Sequence, residues 1–182
     1  MKRSKALGFL VAVILGSVAV YSLFSKNVGL SENNPGQSSN LIPPHLLDRH
    51  GKTVTSDIIK GKYIGLYFSA SWCGPCRSFT PELIKFRNQH QDKFEVVLVG
   101  GDGSPKEQAK YVKKYEMPWY AMSNQCKEAK NASQSLKVDF IPYLVILDPS
   151  GNVVSKNGVS ELRTWKSAAM NRWMSKSVKG PA

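Results

Sequence analysis

Two cysteines separated by two residues are the part of the chain best suited to chemistry. The motif Cys73-Gly74-Pro75-Cys76 opens a predicted helix that runs to His90. At the start of a helix, the unpaired backbone N–H groups and the helix dipole stabilise a thiolate, which is the attacking species in disulfide exchange. Cys76 lies one turn further along, so we expect it to be more buried and to resolve a mixed disulfide formed on Cys73. The pair is therefore a candidate redox centre.

Two other interpretations of the cysteine pair compete with the redox one. A Cys-x-x-Cys motif can be half of a zinc site, but the remaining cysteine is the single Cys126 and the histidines, His45, His50 and His90, lack metal-ligand spacing. A purely structural disulfide across so short a loop would remove little chain entropy and would stabilise the fold little. The position of the motif between a strand and a helix favours the redox interpretation. We accordingly predict no metal and no cofactor beyond a Cys73–Cys76 disulfide.

The segments around the motif alternate between strands and helices. Apolar runs at 63–68 and 94–99 have the length of buried strands, and each precedes a predicted helix, over 75–90 and from 105 to about 116. The remaining expected elements are hairpins at 46–54 and 143–155 and a last helix capped by Ser160, with Leu162, Trp165, Ala169 and Trp173 along one stripe. This order, β-β-α-β-α-β-β-α, predicts an α/β fold in which a mixed central sheet has helices on both faces.

The N-terminal segment has the pattern of an export signal followed by a tether. Basic residues in the first five positions precede an uncharged, mostly apolar stretch over 6–25. Ala19 ends a small-residue site that a signal peptidase can cleave, whereas a helix of about 30 Å would also be long enough to remain as a membrane anchor. Both alternatives place the rest of the chain outside the cytoplasm, either anchored on the periplasmic side of the inner membrane or released. The expected segments are a signal peptide or signal anchor at 1–25, a flexible linker at 26–40, a globular domain at 41–177 and a tail at 178–182.

The amino-acid composition and the net charge limit the classes of partner that the chain can bind. The chain has 182 residues, of which 42% are hydrophobic, and this excludes a mostly disordered chain. Its formal charge of +12 is spread along the sequence, without an arginine-rich block or a nucleic-acid-binding motif. We therefore expect no nucleic-acid partner, and membrane contact only through an uncleaved N-terminal hydrophobic helix.

The cysteine motif and its flanks resemble a known superfamily. The segment 69–81, which reads Ser-Ala-Ser-Trp-Cys-Gly-Pro-Cys-Arg-Ser-Phe-Thr-Pro, resembles the active-site segment of the thioredoxin superfamily. Residues 67–72, 77–81 and 117–119 resemble its tryparedoxin and nucleoredoxin branch, and an exported domain with this motif also resembles the membrane-tethered bacterial oxidoreductases. The resemblance covers about 41–174 and implies a thioredoxin-like three-layer sandwich.

The same resemblance implies roles for residues near the cysteines. The family has a cis-proline that faces the disulfide just before a central strand, and Ile141–Pro142 matches that place. A cis bond would direct the backbone of Ile141 towards the substrate chain for strand-like pairing. Trp72, Gly74 and Pro75 complete the expected substrate-positioning set.

One position departs from the thioredoxin pattern. Tyr67 stands where thioredoxins have a buried aspartate that helps to move a proton from the resolving cysteine. The proton acceptor for Cys76 is therefore open, with a water or Asp102 as alternatives. Trp119 and Tyr120 are expected either in a substrate groove or in the core.

The resemblance implies a thiol–disulfide oxidoreductase that acts on protein or peptide disulfides and receives electrons from an upstream thiol protein. Gly-Pro between the cysteines resembles the reducing members of the family more than the strong oxidants. Two alternatives stay open: a thiol peroxidase, whose chemistry usually depends on one cysteine in a Thr-x-x-Cys setting, and a binding module without turnover.

Overall fold

The computed structural model describes residues 41–178. Its strands are β1 His45–Leu47, β2 Thr53–Thr55, β3 Tyr63–Ser69, β4 Phe94–Gly100, β5 Tyr120–Ala121, β6 Tyr143–Leu147 and β7 Val153–Ser155. Its helices are α1 Gly74–Gln89, α2 Pro105–Lys114, α3 Lys127–Leu136, α4 Gly158–Trp165 and α5 Ala169–Val178, with short 3-10 turns at Ser56–Ile59 and Lys166–Ala168.

The described strands form one mixed sheet in the order β2-β1-β5-β4-β3-β6-β7. The central strands β3, β4 and β5 are parallel, whereas β6 pairs antiparallel with β3 and β1 pairs antiparallel with β5. The chain leaves β3 at Ser69 and reaches Cys73 four residues later. The cysteine motif therefore lies at the carboxyl ends of the central strands, the edge at which open α/β sheets usually place their sites.

Two hydrophobic clusters pack on opposite faces of the sheet. Along β3, Leu66 and Phe68 point into the cluster that α3 covers, and Tyr67 points into the cluster covered by α1, α2, α4 and α5. Strand β4 is buried along its whole length, as expected for a strand covered on both faces. The predicted mixed sheet with helices on both faces is confirmed.

Two elements were not predicted from the sequence. Strand β5 has only two residues, too few to show an alternating pattern. The buried residues of α3 are Ala129, Ala132 and Leu136, a narrow stripe of mostly small side chains in a polar segment. A helix of this kind lacks the broad apolar face by which amphipathic helices are recognised.

The prediction for the last helix was wrong in two respects. The helix begins at Gly158, after Asn157, so Ser160 lies inside it rather than at its cap. It also ends early, at Trp165, because Lys166 adopts a left-handed φ of 50° and begins a 3-10 turn that leads into a second helix, α5. The predicted stripe still faces inwards for the most part, since Leu162, Ala169 and Trp173 are buried; Trp165 is only partly buried.

Replacing Gly158 by alanine is expected to destabilise the fold by about 1–3 kcal/mol, the usual cost of overpacking. A Cβ at this position would lie 2.7 Å from the backbone oxygen of Leu144, which cannot move away as a flexible side chain could. Urea unfolding of the full chain measures the effect. Gly101→Ala is the matched control, because its Cβ would meet only ordinary 3.7 Å contacts; equal losses in the two variants would contradict the steric argument.

The predicted N-terminal hydrophobic helix at 1–25 and the linker at 26–40 lie outside the described residues, as does most of the predicted tail at 178–182. Between residues 41 and 178, no helix combines the length and the apolar character that crossing a bilayer requires.

Candidate active site

The cysteine pair is a disulfide at the start of α1. Cys73 is the N-cap residue, and its Cα atom lies 5.2 Å from that of Cys76. The Sγ atom of Cys73 accepts the backbone N–H of Cys76 at 3.1 Å, and Pro75, which has no N–H to donate, fits the first turn of the helix. Cys73 keeps 6% of its surface exposed and Cys76 keeps none. The prediction that Cys76 is the more buried sulfur is confirmed.

The Ile141–Pro142 peptide bond faces the disulfide and is cis, as predicted. It lies just before β6, whose first residue, Tyr143, pairs with Phe68 near the end of β3. This pairing brings the carbonyl oxygen of Ile141 to 3.8 Å from the Sγ atom of Cys73.

Two large apolar side chains are exposed next to the segments that form the site, one directly before Cys73 and one directly before the cis peptide. Trp72 is 66% exposed, and its indole N–H donates to the carbonyl of Gly101 at 3.2 Å. Phe140, which precedes the cis peptide, is 67% exposed. The sequence analysis selected Trp72 but missed Phe140, although an aromatic residue directly before an Ile-Pro pair was the available signal.

Asp102 stabilises, through hydrogen bonds, the loop that leads into the cysteine motif. It is 1% exposed, and its Oδ1 atom accepts the backbone N–H of Ser71 at 3.0 Å and the hydroxyl of Ser71 at 2.6 Å. Side-chain amides of Asn124 and Gln125 donate to its backbone carbonyl. Arg77 adds a further contact from α1, since its guanidinium donates to the carbonyl of Ser71 at 3.0 Å. The loop before Cys73 is thus held from two sides.

A cluster of buried hydroxyl groups lies beneath the disulfide. The carbonyl of Cys76 accepts hydrogen bonds from Tyr67 at 3.2 Å and from Thr80 at 2.9 Å, and the Tyr111 hydroxyl lies within hydrogen-bond distance of Thr80 and of Ser69. Burial raises the pKa of Tyr67 well above its ordinary value, although the hydrogen-bonding hydroxyl groups of Ser69 and Thr80 oppose the shift. Tyr67 therefore stays neutral and cannot take the proton of Cys76. Of this cluster, the sequence pointed to Tyr67 alone, and Thr80, Tyr111 and Ser69 emerge only from the fold.

The other residues selected from the sequence lie away from the cysteine pair. Trp119 is 2% exposed and packs edge-to-face on Tyr67, which places it in the core rather than in a groove. Tyr120 is partly buried in β5. Cys126 is a half-buried free thiol at the N-cap of α3. Within the described part of the chain, no three His, Cys, Asp or Glu side chains form a group that could hold a metal ion.

Comparison with known proteins agrees with this geometry. A family model described as thioredoxin-like matches residues 61–153. The chain belongs to the thioredoxin-like family. Probable nucleoredoxin 1 of Arabidopsis thaliana is 42% identical over 123 residues, which cover 66% of this chain and 21% of that protein. The tryparedoxin of Trypanosoma brucei brucei is 35% identical, over 66% of this chain and 79% of that protein.

Solved structures support the same relationship. A structure of tryparedoxin from Trypanosoma brucei matches this thioredoxin-like chain with a TM-score of 0.66 at 31% identity, covering 74% of this chain and 96% of that one. The chain spans about a fifth of the length of the plant nucleoredoxin, whereas it covers 79% of the Trypanosoma brucei brucei tryparedoxin sequence. It is therefore a thioredoxin-like redox protein, related to nucleoredoxins and tryparedoxins, with a Cys73–Cys76 pair at the start of α1.

Proposed function

We propose that the chain is a thiol–disulfide oxidoreductase that reduces disulfides in protein or peptide substrates. The observation that carries this proposal is the placement of Cys73. Its sulfur caps α1, accepts the N–H of Cys76 at 3.1 Å and lies 3.8 Å from the carbonyl of the cis-bonded Ile141. A helix N-terminus favours the thiolate over the thiol, so this sulfur is the nucleophile.

The reaction has two exchange steps. In the reduced protein, the thiolate of Cys73 attacks one sulfur of the substrate disulfide, forming a mixed disulfide and releasing the other substrate sulfur as a thiolate. Cys76, deprotonated, then attacks the Sγ atom of Cys73, which closes the Cys73–Cys76 disulfide and releases the second substrate sulfur. Two electrons pass from the two cysteines to the substrate sulfurs, the released thiolates take up protons from the solvent, and the protein becomes oxidised.

The residues around Cys73 position the substrate. The backbone of Ile141 pairs with the substrate chain, and Pro142 holds that backbone in the cis geometry. Trp72 and Pro75, both exposed, border the approach to the sulfur. The space beside Gly74 is open to the substrate, since even a Cβ there would meet only the Arg77 guanidinium, at 3.9 Å.

An upstream thiol protein restores the dithiol. It supplies two electrons by attacking the Cys73–Cys76 disulfide through the same exchange chemistry, so the cycle uses no cofactor other than this disulfide. The Gly-Pro pair between the cysteines, which resembles the reducing members of the family, supports this direction of electron flow.

The proposal includes a location outside the cytoplasm. The basic start and the uncharged stretch over 6–25 support export through a signal peptide or signal anchor, with 26–40 as a linker, 41–177 as the redox domain and 178–182 as a tail. Sequencing the N-terminus of the protein from cells, together with carbonate extraction of membranes, tests this. Cleavage near Ala19 or retention in the membrane pellet is expected; an intact N-terminus in the soluble cytoplasmic fraction would contradict export.

Reduction of insulin by the purified full chain tests the activity. The protein is reduced, freed of reductant and mixed with insulin in excess. We expect up to one insulin disulfide to be reduced per protein molecule, together with closure of the Cys73–Cys76 disulfide, which alkylation and mass spectrometry detect.

Two results, one from this experiment and one from a parallel assay with hydrogen peroxide, would reject the proposal. Insulin that binds but is not reduced would indicate a binding module. Rapid consumption of hydrogen peroxide without insulin reduction would indicate a thiol peroxidase.

A further inference from the structure

Two crevices lie on either side of the cis peptide that faces the disulfide. The α3 crevice, with a volume of about 420 Å³, is lined by Ser69, Gly101, Ile141 and residues of α3, among them Lys130. The α4 crevice, with a volume of about 360 Å³, is lined by Phe140, Pro142, Lys156, Val159 and Arg163 among others. Ile141 lines the α3 crevice and Pro142 lines the α4 crevice, so both crevices adjoin the same peptide bond.

Both crevices are lined by apolar and uncharged polar side chains together with a few cations. Apolar side chains such as Val138 in the α3 crevice and Val159 in the α4 crevice form the walls. Among the described residues, the charged side chains that line either crevice are the cations Lys130, Lys156 and Arg163, and none is an aspartate or glutamate.

The two lysines are the cations best able to interact with a bound partner. Neither Lys130 nor Lys156 forms an ion pair with another described residue. Arg163 differs from them, because it pairs with Glu82 at 3.3 Å and stacks on the ring of Phe79. Asp139, next to Phe140 in the sequence, is exposed but does not line the crevices.

The position of the disulfide links the crevices to the reaction. The carbonyl of Ile141, in the α3 crevice, lies 3.8 Å from the Sγ atom of Cys73. A peptide segment that reacts at Cys73 and pairs with the backbone of Ile141 has a residue on each side of its cysteine. In such a segment, the residues before and after the cysteine extend along the chain past Ile141 and Pro142, the residues at which the α3 and α4 crevices adjoin.

We infer that the preferred substrates are disulfides whose reacting cysteine is flanked by acidic residues in an otherwise apolar segment. This inference rests on the proposed function and names its substrate class. An acidic neighbour meets Lys130 on one side and Lys156 on the other, while an apolar residue packs on Phe140. The chain's net charge of +12 also attracts an acidic segment before contact.

Three disulfide peptides that differ only beside one cysteine test the inference. The two flanking residues are glutamate, glutamine or lysine, and each peptide is mixed with the reduced full chain in a single-turnover measurement. At low ionic strength, we expect the glutamate peptide to react about 10-fold faster than the lysine peptide, with the glutamine peptide between them. In 0.5 M salt the difference should shrink, because salt screens exposed charges.

Charge variants identify the residues responsible. In Lys130→Glu/Lys156→Glu the order of the peptides is expected to reverse, and in Lys130→Gln/Lys156→Gln the preference is expected to disappear. The matched control is Lys85→Glu/Lys93→Glu, which changes the net charge equally at exposed positions towards the other ends of α1 and β4. It is expected to keep the original order.

The outcomes separate this inference from the proposed function. Equal rates for the three peptides, a faster lysine peptide, or an order unchanged by the crevice variants would overturn the substrate preference and leave the oxidoreductase activity standing. Reduction of none of the three peptides would overturn the proposed function itself.

Discussion

Cys73→Ser is expected to lower insulin reduction to the uncatalysed background, because the reaction depends on this nucleophile. A serine hydroxyl stays protonated at neutral pH and cannot form a disulfide, so the first exchange step has no nucleophile. Cys76 cannot replace it, because its side chain is fully buried. Turbidity from precipitating insulin chains, followed with the full chain and excess thiol reductant, measures the loss.

Serine at position 76 is expected to stop the same cycle one step later. Cys73 still attacks, but no second thiolate resolves the mixed disulfide, so the adduct with substrate accumulates. Non-reducing gels and mass spectrometry should show a covalent one-to-one complex that thiol reductant dissolves. This complex distinguishes a nucleophile at Cys73 from a general loss of structure.

Cys126→Ser provides the control for both cysteine variants. The free thiol lies half-buried at the N-cap of α3, where its Sγ atom accepts the N–H of Ala129 at 3.4 Å. A hydroxyl can accept the same hydrogen bond, and full activity is expected. Substantial activity in Cys73→Ser that disappears on further replacement of Cys126 would refute the assignment of Cys73 as the nucleophile.

The central part of the fold could be predicted because its signals are local and strong. Strands β3 and β4 are mostly apolar runs buried on both faces, and α1 begins at a cysteine motif with a proline in its first turn. Strand β5 and helix α3 carry weak local signals, because two residues show no period and alanines give little apolar contrast. Their positions depend on packing against the rest of the sheet.

The residues of the candidate site also differ in how well the sequence predicts them. The cysteine motif and the Ile141–Pro142 pair are visible in the sequence, since each is a short segment with a specific composition. The hydroxyl cluster of Tyr67, Thr80 and Tyr111 joins residues far apart in the chain, and single residues of such common types give no signal. The crevice lysines belong to a sequence with many lysines, so only the fold distinguishes them.

The second large effect is a loss of stability, and we expect it at Glu161, far in sequence from the cysteines. This carboxylate is buried in α4 and accepts hydrogen bonds of 2.6 Å from Ser155, Trp173 and Lys176, so it ties α4 to β7 and α5. Glu161→Ala leaves the Trp173 and Ser155 donors without their acceptor in a buried site. We expect a loss of about 2–4 kcal/mol in the free energy of unfolding, measured by urea unfolding of the full chain. Glu116→Gln, an exposed change, is the control and should have little effect.

The pH dependence of the free energy of unfolding distinguishes the contribution of the Glu161 charge from that of its side-chain packing. Burial alone would raise the pKa of Glu161, but the hydrogen bonds from Lys176, Ser155 and Trp173 outweigh it and lower the pKa below the ordinary value of 4.5. A lowered pKa in the folded state stabilises the protein above pH 4.5, and this contribution is lost as the pH falls through the folded-state pKa. The stability difference between the wild type and Glu161→Gln should therefore be largest near neutral pH and shrink in acid. A difference that stays constant down to pH 3 would show that the ionised form of Glu161 is not what holds these elements together.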